Sequence, residues 1–172
     1  MYDFKLGLTL LEDGSKNPNI VSKIVKTLTA MANTNSDEEG IVIIGVANDI
    51  ASAQNYQSHY NSNWIEIDKC FVTGINDEVK KYWGSLENYV QYLKREISKQ
   101  PIQDDVKSQI LTNFNVINYE EKTVVILKCK NNGHSFTYKN EFYERRGSNT
   151  EKVEIGSASF NELMRRTTRQ GF

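Results

Sequence analysis

The sequence predicts a single mixed-sheet domain of the α/β or α+β class, and three stretches carry that prediction. Ile41-Val42-Ile43-Ile44-Gly45-Val46 is an apolar, largely β-branched run of the kind that fills a central strand covered on both faces. Ahead of it, apolar residues recur with helical period at Ile20, Val21, Ile24, Val25, Leu28, Met31 and Ala32. Downstream, residues 116–119 face 123–129, and 136–138 face 142–146, across short turns of the kind that close antiparallel hairpins. A strand, a helix and a strand, followed by helices, strands and a last helix, is the order of a sheet with helices packed on it.

Each element has a local cause. Residues 2–8 alternate enough for a first strand, and residues 12–17, with Gly14, read as a loop. Pro18 falls where the first turn of a helix tolerates it, with Asn17 as N-cap, and the helix is expected to bury one face and leave Lys23, Lys26 and Thr27 on the other. It ends near Asn33, because residues 33–40 are turn and capping types with little to bury. Asn48 and Asp49 close the central strand; residues 50–60 read as a polar helix, and residues 64–72 as one or two short strands reaching Gly74. A turn of helix at 78–83 precedes a helix capped by Ser85, with Leu86, Tyr89, Val90, Leu93 and Ile97 on one face. Pro101 opens another, carrying Val106, Ile110 and Leu111, and this amphipathic pair is expected to cover a sheet face. Glu120-Glu121-Lys122 and Lys139-Asn140-Glu141 turn the two hairpins. Gly147-Ser148-Asn149-Thr150 ends the second, and Ser159 caps a final helix with Phe160, Leu163 and Met164.

The 172 residues amount to one domain and, by size scaling, should bury about 70% of their unfolded surface. A net charge of -1, from 21 basic and 22 acidic residues, supplies no global field toward DNA or an anionic membrane, so contact with nucleic acid requires a local patch. Cys70 and Cys129 stand apart, without a CxxC pair or a histidine at ligand spacing, so two reduced, buried thiols are expected rather than a zinc site. The charged N-terminus predicts no signal peptide, and no apolar run is long enough to span a bilayer, so a cytoplasmic location is expected. A strand that begins directly at Tyr2 fits a domain cut from a longer polypeptide.

Several chemistries lack their residues. There is no GxSxG elbow, His59 and His134 lie in polar surroundings, and Gly45 stands alone with no phosphate-cradling glycine pattern. Carboxylates are one candidate: Asp3 and Asp49, at strand ends near Glu12 and Asp13, would hold Mg2+ or Mn2+ if they converge, and such an ion activates water against a phosphodiester. The plain alternative is solvated turn residues. The other candidate is basic and aromatic: Tyr138, Lys139, Phe142, Tyr143, Arg145 and Arg146 on a hairpin, with Arg165, Arg166 and Arg169 on or after the last helix. Guanidinium forks beside rings suit unpaired bases and phosphates, and Lys23 and Lys26 extend such a surface. Against this, Glu141, Glu144, Glu151 and Glu162 are close enough in sequence to pair with those arginines.

Three segments taken in order resemble the AlbA-type nucleic-acid-binding domain of the Schlafen superfamily. They are Asp3-Phe4-Lys5; Ala30-Met31-Ala32-Asn33-Thr34 leading through Gly40 to Ile43-Ile44-Gly45-Val46-Ala47-Asn48-Asp49; and Phe142-Tyr143-Glu144-Arg145-Arg146-Gly147-Ser148-Asn149-Thr150. The resemblance spans nearly the whole chain, 1–172, as one domain, with residues 50–115 resembling a helical insertion of a bacterial subgroup. It implies a mixed α/β fold and association with nucleic acid, RNA more than DNA, in a bacterial defence or regulatory protein. Lys5, Lys23, Lys26, Lys139, Tyr143, Arg145, Arg146, Arg165 and Arg166 are then the expected contacts, with Asn33, Thr34, Gly45, Gly147 and Ser148 as structural positions. Several relatives cleave structured RNA such as tRNA with a metal, which would make Asp3 and Asp49 both catalytic residues and ligands. Here Asp3 stands in place of a glutamate, and Ala47 and Asn48 in place of two aspartates, with Asp49 one position on. The resemblance also implies a homodimer, since related eukaryotic proteins set two such lobes side by side. A dimerisation or assembly module without nucleic acid is a third reading, compatible with the near-zero charge.

Overall fold

The structure, a computed structural model, describes residues 1–168, so Arg169 lies outside the described residues. The N-terminal strand β1 (Tyr2–Lys5) lies parallel to β2 (Gly40–Ile44), and helix α1 (Ile20–Thr34) makes the crossover that parallel neighbours need. A hairpin, β6 (Asn115–Tyr119) and β7 (Lys122–Cys129), completes a mixed four-stranded sheet in the order β1-β2-β7-β6. One face carries Val42, Ile44, Val125 and Leu127 into the main core, with Ile24 and Leu28 of α1. Helices α4 (Leu86–Ser98) and α5 (Asp104–Thr112) add Leu93, Ile97, Val106 and Ile110 to it.

The opposite face is covered by a small sheet of β3 (Val46–Ala47), β4 (Ile65–Ile67) and β5 (Cys70–Val72), ordered β3-β5-β4, where Val46, Val72 and Val124 meet Phe4 and Ile43. The predicted continuous strand through Val46 is therefore split. Gly45 breaks it with φ +104, giving its N–H to the Lys5 carbonyl and its carbonyl to the N–H groups of Thr73 and Gly74. A Cβ there would sit 3.2 Å from Gly74 backbone, so glycine suits both the dihedral and the close approach. Helix α2 (Ile50–Tyr60) follows β3, while α3 (Asn76–Glu78) runs into a π-helical turn, Val79–Trp83.

A third sheet, ordered β10-β9-β8, contains β8 (Thr137–Tyr138), β9 (Glu141–Arg146) and β10 (Asn149–Val153). It packs on α1, so that helix is held between two sheets. Its buried residues include Thr27, Thr29 and Asn33 as well as the apolar positions, which corrects the expectation of one buried face. Helix α6 (Ala158–Thr167) packs on α1 as well.

Other boundaries move for local reasons. Asn17 accepts the Asn19 N–H in a turn, and α1 starts after Asn19. Pro101 lies before α5, its carbonyl taken by the Lys139 N–H, and the helix begins with Asp104 and Asp105 in its first turn, where the helix dipole favours acids. Ser157, not Ser159, caps α6 by accepting the Phe160 N–H. Gly147 and Ser148 turn β9 into β10, a strand not foreseen because only Val153 of its five residues is buried. Cys129 is buried as expected; Cys70 is only half-buried. No helix among the described residues is long and apolar enough to cross a membrane.

Candidate nucleic-acid interface

The polar pair at the end of α1, Asn33 and Thr34, has a mechanical task. Fully buried Asn33 donates from Nδ2 to the carbonyls of Phe136 and Tyr143, both at 2.9 Å, and accepts the Phe136 N–H at 2.8 Å. Thr34 Oγ1 donates to the Ala30 carbonyl and accepts the Arg145 N–H, each at 2.7 Å. Both side chains thus stitch β9 and the residue leading into β8 to α1.

That stitching turns Arg145 inward. Its side chain is 7% exposed, and its guanidinium donates to Thr150 Oγ1 at 3.0 Å and Asp3 Oδ1 at 3.3 Å. The other Asp3 oxygen takes the Lys5 ammonium at 2.5 Å. One strand carboxylate is therefore matched by two cations, which occupies the very groups expected at phosphates. Asp49 is engaged elsewhere, capping α2 by accepting the Ser52 N–H at 2.7 Å, and that bond lowers its pKa. Asp3 and Asp49 thus have separate partners, and among the described residues no group of three or more His, Cys, Asp and Glu side chains is placed to hold a metal.

Carboxylates also take the remaining hairpin arginines. Buried Glu144 accepts from Arg146 at 2.8 Å and from Arg166 at 3.3 Å; Arg146 reaches Glu151 and Ser159 too, and Arg166 donates to the Asn33 carbonyl. Arg165 pairs with Glu162 at 2.6 Å, and Lys152 with Glu141 at 2.8 Å. Lys26 rests over the Tyr143 ring at 5.1 Å, while burial and the Glu141 carboxylate push the Tyr143 phenol up to about 12. Lys139 lies over Tyr138, and Lys23 is exposed on α1, as are Gly147 and Ser148 at the hairpin tip.

A different arrangement surrounds the π-helical turn. Lys81 lies over Tyr60 at 5.6 Å and Tyr82 at 5.3 Å; Lys16 lies over Trp83 at 4.9 Å and Tyr92 at 4.6 Å; Arg95 lies over Tyr92 at 5.5 Å. Lys16, Tyr82, Trp83, Tyr92 and Arg95, with Asn88 and Gln91, line an open recess of about 290 Å³. The Tyr82 hydroxyl meets His59 Nε2 at 2.8 Å, and burial followed by the Lys81 charge holds that imidazole below its ordinary pKa. Lys16, Lys81 and Arg95 are exposed, and among the described residues the one ion pair here joins Arg95 to its neighbour Glu96 at 3.5 Å. The Lys80-Lys81-Tyr82-Trp83 run was the signal for this strip, and its mixed basic and aromatic pattern is the one read at the hairpin.

Glu78 supports the strip and had no sequence signal. It is 2% exposed, and its Oε1 accepts the N–H groups of Leu8 and Thr9 and the Thr9 hydroxyl at 2.6–2.7 Å. Its Oε2 accepts the Tyr89 hydroxyl at 3.3 Å, and burial raises its pKa despite these bonds. Thr9 bridges to Lys16, so this carboxylate ties the loop that carries Lys16 to the helices that carry its rings. A Cβ on Gly7 would fall 2.0 Å from Glu78 Oε2, which is why the approach is open only to glycine.

No curated protein sequence matches the chain. Among solved structures, the DIP2311 protein from Corynebacterium diphtheriae shares the fold at a TM-score of 0.56 and 16% identity, over 99% of this chain. The chain spans 24% of that protein. The family description Schlafen, AlbA_2 matches residues 2–154, from β1 through the β9–β10 hairpin, and the chain belongs to that family.

Proposed function

We propose that this chain is a nucleic-acid-binding domain that takes up RNA along the basic aromatic strip beside the π-helical turn. Membership of a family associated with nucleic acid supports the general reading. The observation that carries the site is that Lys16 and Lys81 rest on aromatic faces with no carboxylate partner among the described residues, and that exposed Arg95, over the Tyr92 ring, pairs only at 3.5 Å with its sequence neighbour Glu96 among those residues. A surface cation–π contact is worth about 0.5–1 kcal/mol, so a phosphate easily draws the cation off the ring. The ring it leaves is free to stack on an unpaired base, an interaction worth about 1–3 kcal/mol per base. Unpaired loops and ends of RNA present both partners at once.

The test uses the purified chain with end-labelled tRNA and single-stranded RNA, on native and denaturing gels in parallel, with Mn2+ and with EDTA. A retarded, intact RNA under both conditions is expected. Metal-dependent fragments would replace binding by endoribonuclease activity and return attention to Asp3 and Asp49. No retardation at low salt would overturn the reading and favour an assembly module.

A further inference from the structure

We propose that β6 is the surface through which two copies of this chain pair, edge to edge, into one continuous eight-stranded sheet. β6 ends the four-stranded sheet, and all five of its residues are exposed. Its sequence, Asn115-Val116-Ile117-Asn118-Tyr119, has no charge, proline or glycine. Such an edge invites pairing, and proteins usually blunt it.

The other end strands are defended. β1 carries Asp3 and Lys5, and Asn48 Nδ2 reaches the Phe4 carbonyl at 3.5 Å. β10 carries Glu151 and Lys152, β8 has two residues, and β4 is three residues long with Glu66 at its centre. β6 alone among the described end strands is both long and neutral.

The register makes the edge self-complementary. Glu120 and Glu121, with φ 43 and 69, form a two-residue turn closed by the pair Tyr119 and Lys122. In such a hairpin the closing pair is hydrogen-bonded, and alternate pairs follow it, so Ile117 faces Val124 and Asn115 faces Ile126 through backbone bonds. The N–H and C=O groups of Val116 and Asn118 are left pointing from the open edge. A two-fold axis through Ile117 sets Val116 of one protomer opposite Asn118 of its partner, and the reverse, so these groups close four backbone hydrogen bonds. Ile117 then meets Ile117 across a non-hydrogen-bonded position, where side chains approach most closely.

Charge favours the same pairing. The register brings the Glu120-Glu121 turn of one copy to residues 113 and 114 of the other, and there Lys94 lies over the Phe114 ring at 4.8 Å. Acid meets base at both ends of the joint by symmetry, as an isologous interface requires.

Sedimentation of the full chain tests the surface, and cysteine cross-linking tests its register. A concentration-dependent dimer in the micromolar range is expected, reduced to monomer by Ile117→Lys, which sets two ammonium groups face to face. Far-UV circular dichroism should remain that of the parent, because Ile117 is exposed. In a Cys70→Ser background, Ile117→Cys should oxidise to a disulfide-linked dimer, while Val116→Cys should not. A wild type that stays monomeric throughout, an Ile117→Lys variant that dimerises as well as the parent, or equal cross-linking at both positions would overturn the proposal. RNA retardation is scored separately on the Ile117→Lys monomer, so failure of the dimer and failure of the RNA reading are distinguishable.

Discussion

The β9–β10 hairpin and the strip beside the π-helical turn both hold cations among aromatic rings, yet their charges are bound in different ways. At the hairpin, Arg145, Arg146 and Arg166 close on Asp3 and Glu144, carboxylates that are only 13% and 10% exposed. Drawing a guanidinium away to a phosphate there would remove one of the two cations that neutralise a nearly buried anion, leaving its charge less compensated in a poorly solvated place. At the strip, Lys16 and Lys81 lean on ring faces, and moving them uncovers only an aromatic surface that a base can reoccupy. Counting basic residues therefore misjudges a binding face; what decides is the partner each cation must leave.

The contrast can be broken most forcefully through Asn33. Asn33→Ala removes the amide that satisfies two buried backbone groups of Phe136, just before β8, and the partly buried Tyr143 carbonyl of β9, so the hairpin should lose its seat on α1. With each orphaned group costing about 1–3 kcal/mol, urea denaturation should show a loss of at least about 3 kcal/mol. Glu78 offers the corresponding test at the strip. Because burial raises its pKa from the ordinary 4.5, the folded chain keeps a proton that the unfolded chain has released over the interval between those two values. Stability should fall as pH rises through that interval; below it both states are protonated and the cost vanishes. Thermal melts of Glu78→Gln should lose this slope, whereas Glu78→Ala should be destabilised at every pH because Leu8 and Thr9 lose their acceptor.

Two milder changes sharpen the comparison. Glu144→Gln removes the negative charge between Arg146 and Arg166, so RNA affinity measured by fluorescence anisotropy should rise several-fold as the hairpin cations become available. Arg146→Ala in the otherwise unchanged chain should leave affinity within about twofold, the scale of a screened surface charge whose partners are Glu144 and Glu151.

Much of the frame was legible because it rests on periodicity. The 41–44 run, the apolar period of the helix from Ile20 to Ala32, the Ser85 cap and the location of both hairpin turns, though not their two-residue length, reflect local pattern and turn chemistry that tertiary contacts reinforce. The step at Gly45 was not legible, since the strand's apolar pattern continues through it and only the approach of Gly74 shows why the chain turns. β10 was hidden by its polar residues, and the second buried side of α1 by threonines and an asparagine that look solvent-facing. The possible arginine–glutamate pairs were readable from sequence proximity at Glu144 and Glu162, but the Asp3–Arg145 pair joins residues 142 positions apart. Lys16 with Trp83 and Tyr92 is likewise a meeting of distant segments, and Glu78 gives no hint of burial within an acidic, helical run.

The most direct measurement compares two variants of the full chain for affinity to single-stranded RNA across a salt series. One carries Lys16→Ala, Lys81→Ala and Arg95→Ala; the other carries Arg146→Ala and Arg165→Ala. The first should bind at least about tenfold more weakly at low salt and show a salt slope shallower by about 2, close to 0.7 for each lost phosphate contact with a single strand. The second should follow the wild type. An unchanged slope in the strip variant together with a flattened one in the hairpin variant would contradict the assignment and place the RNA on the hairpin face.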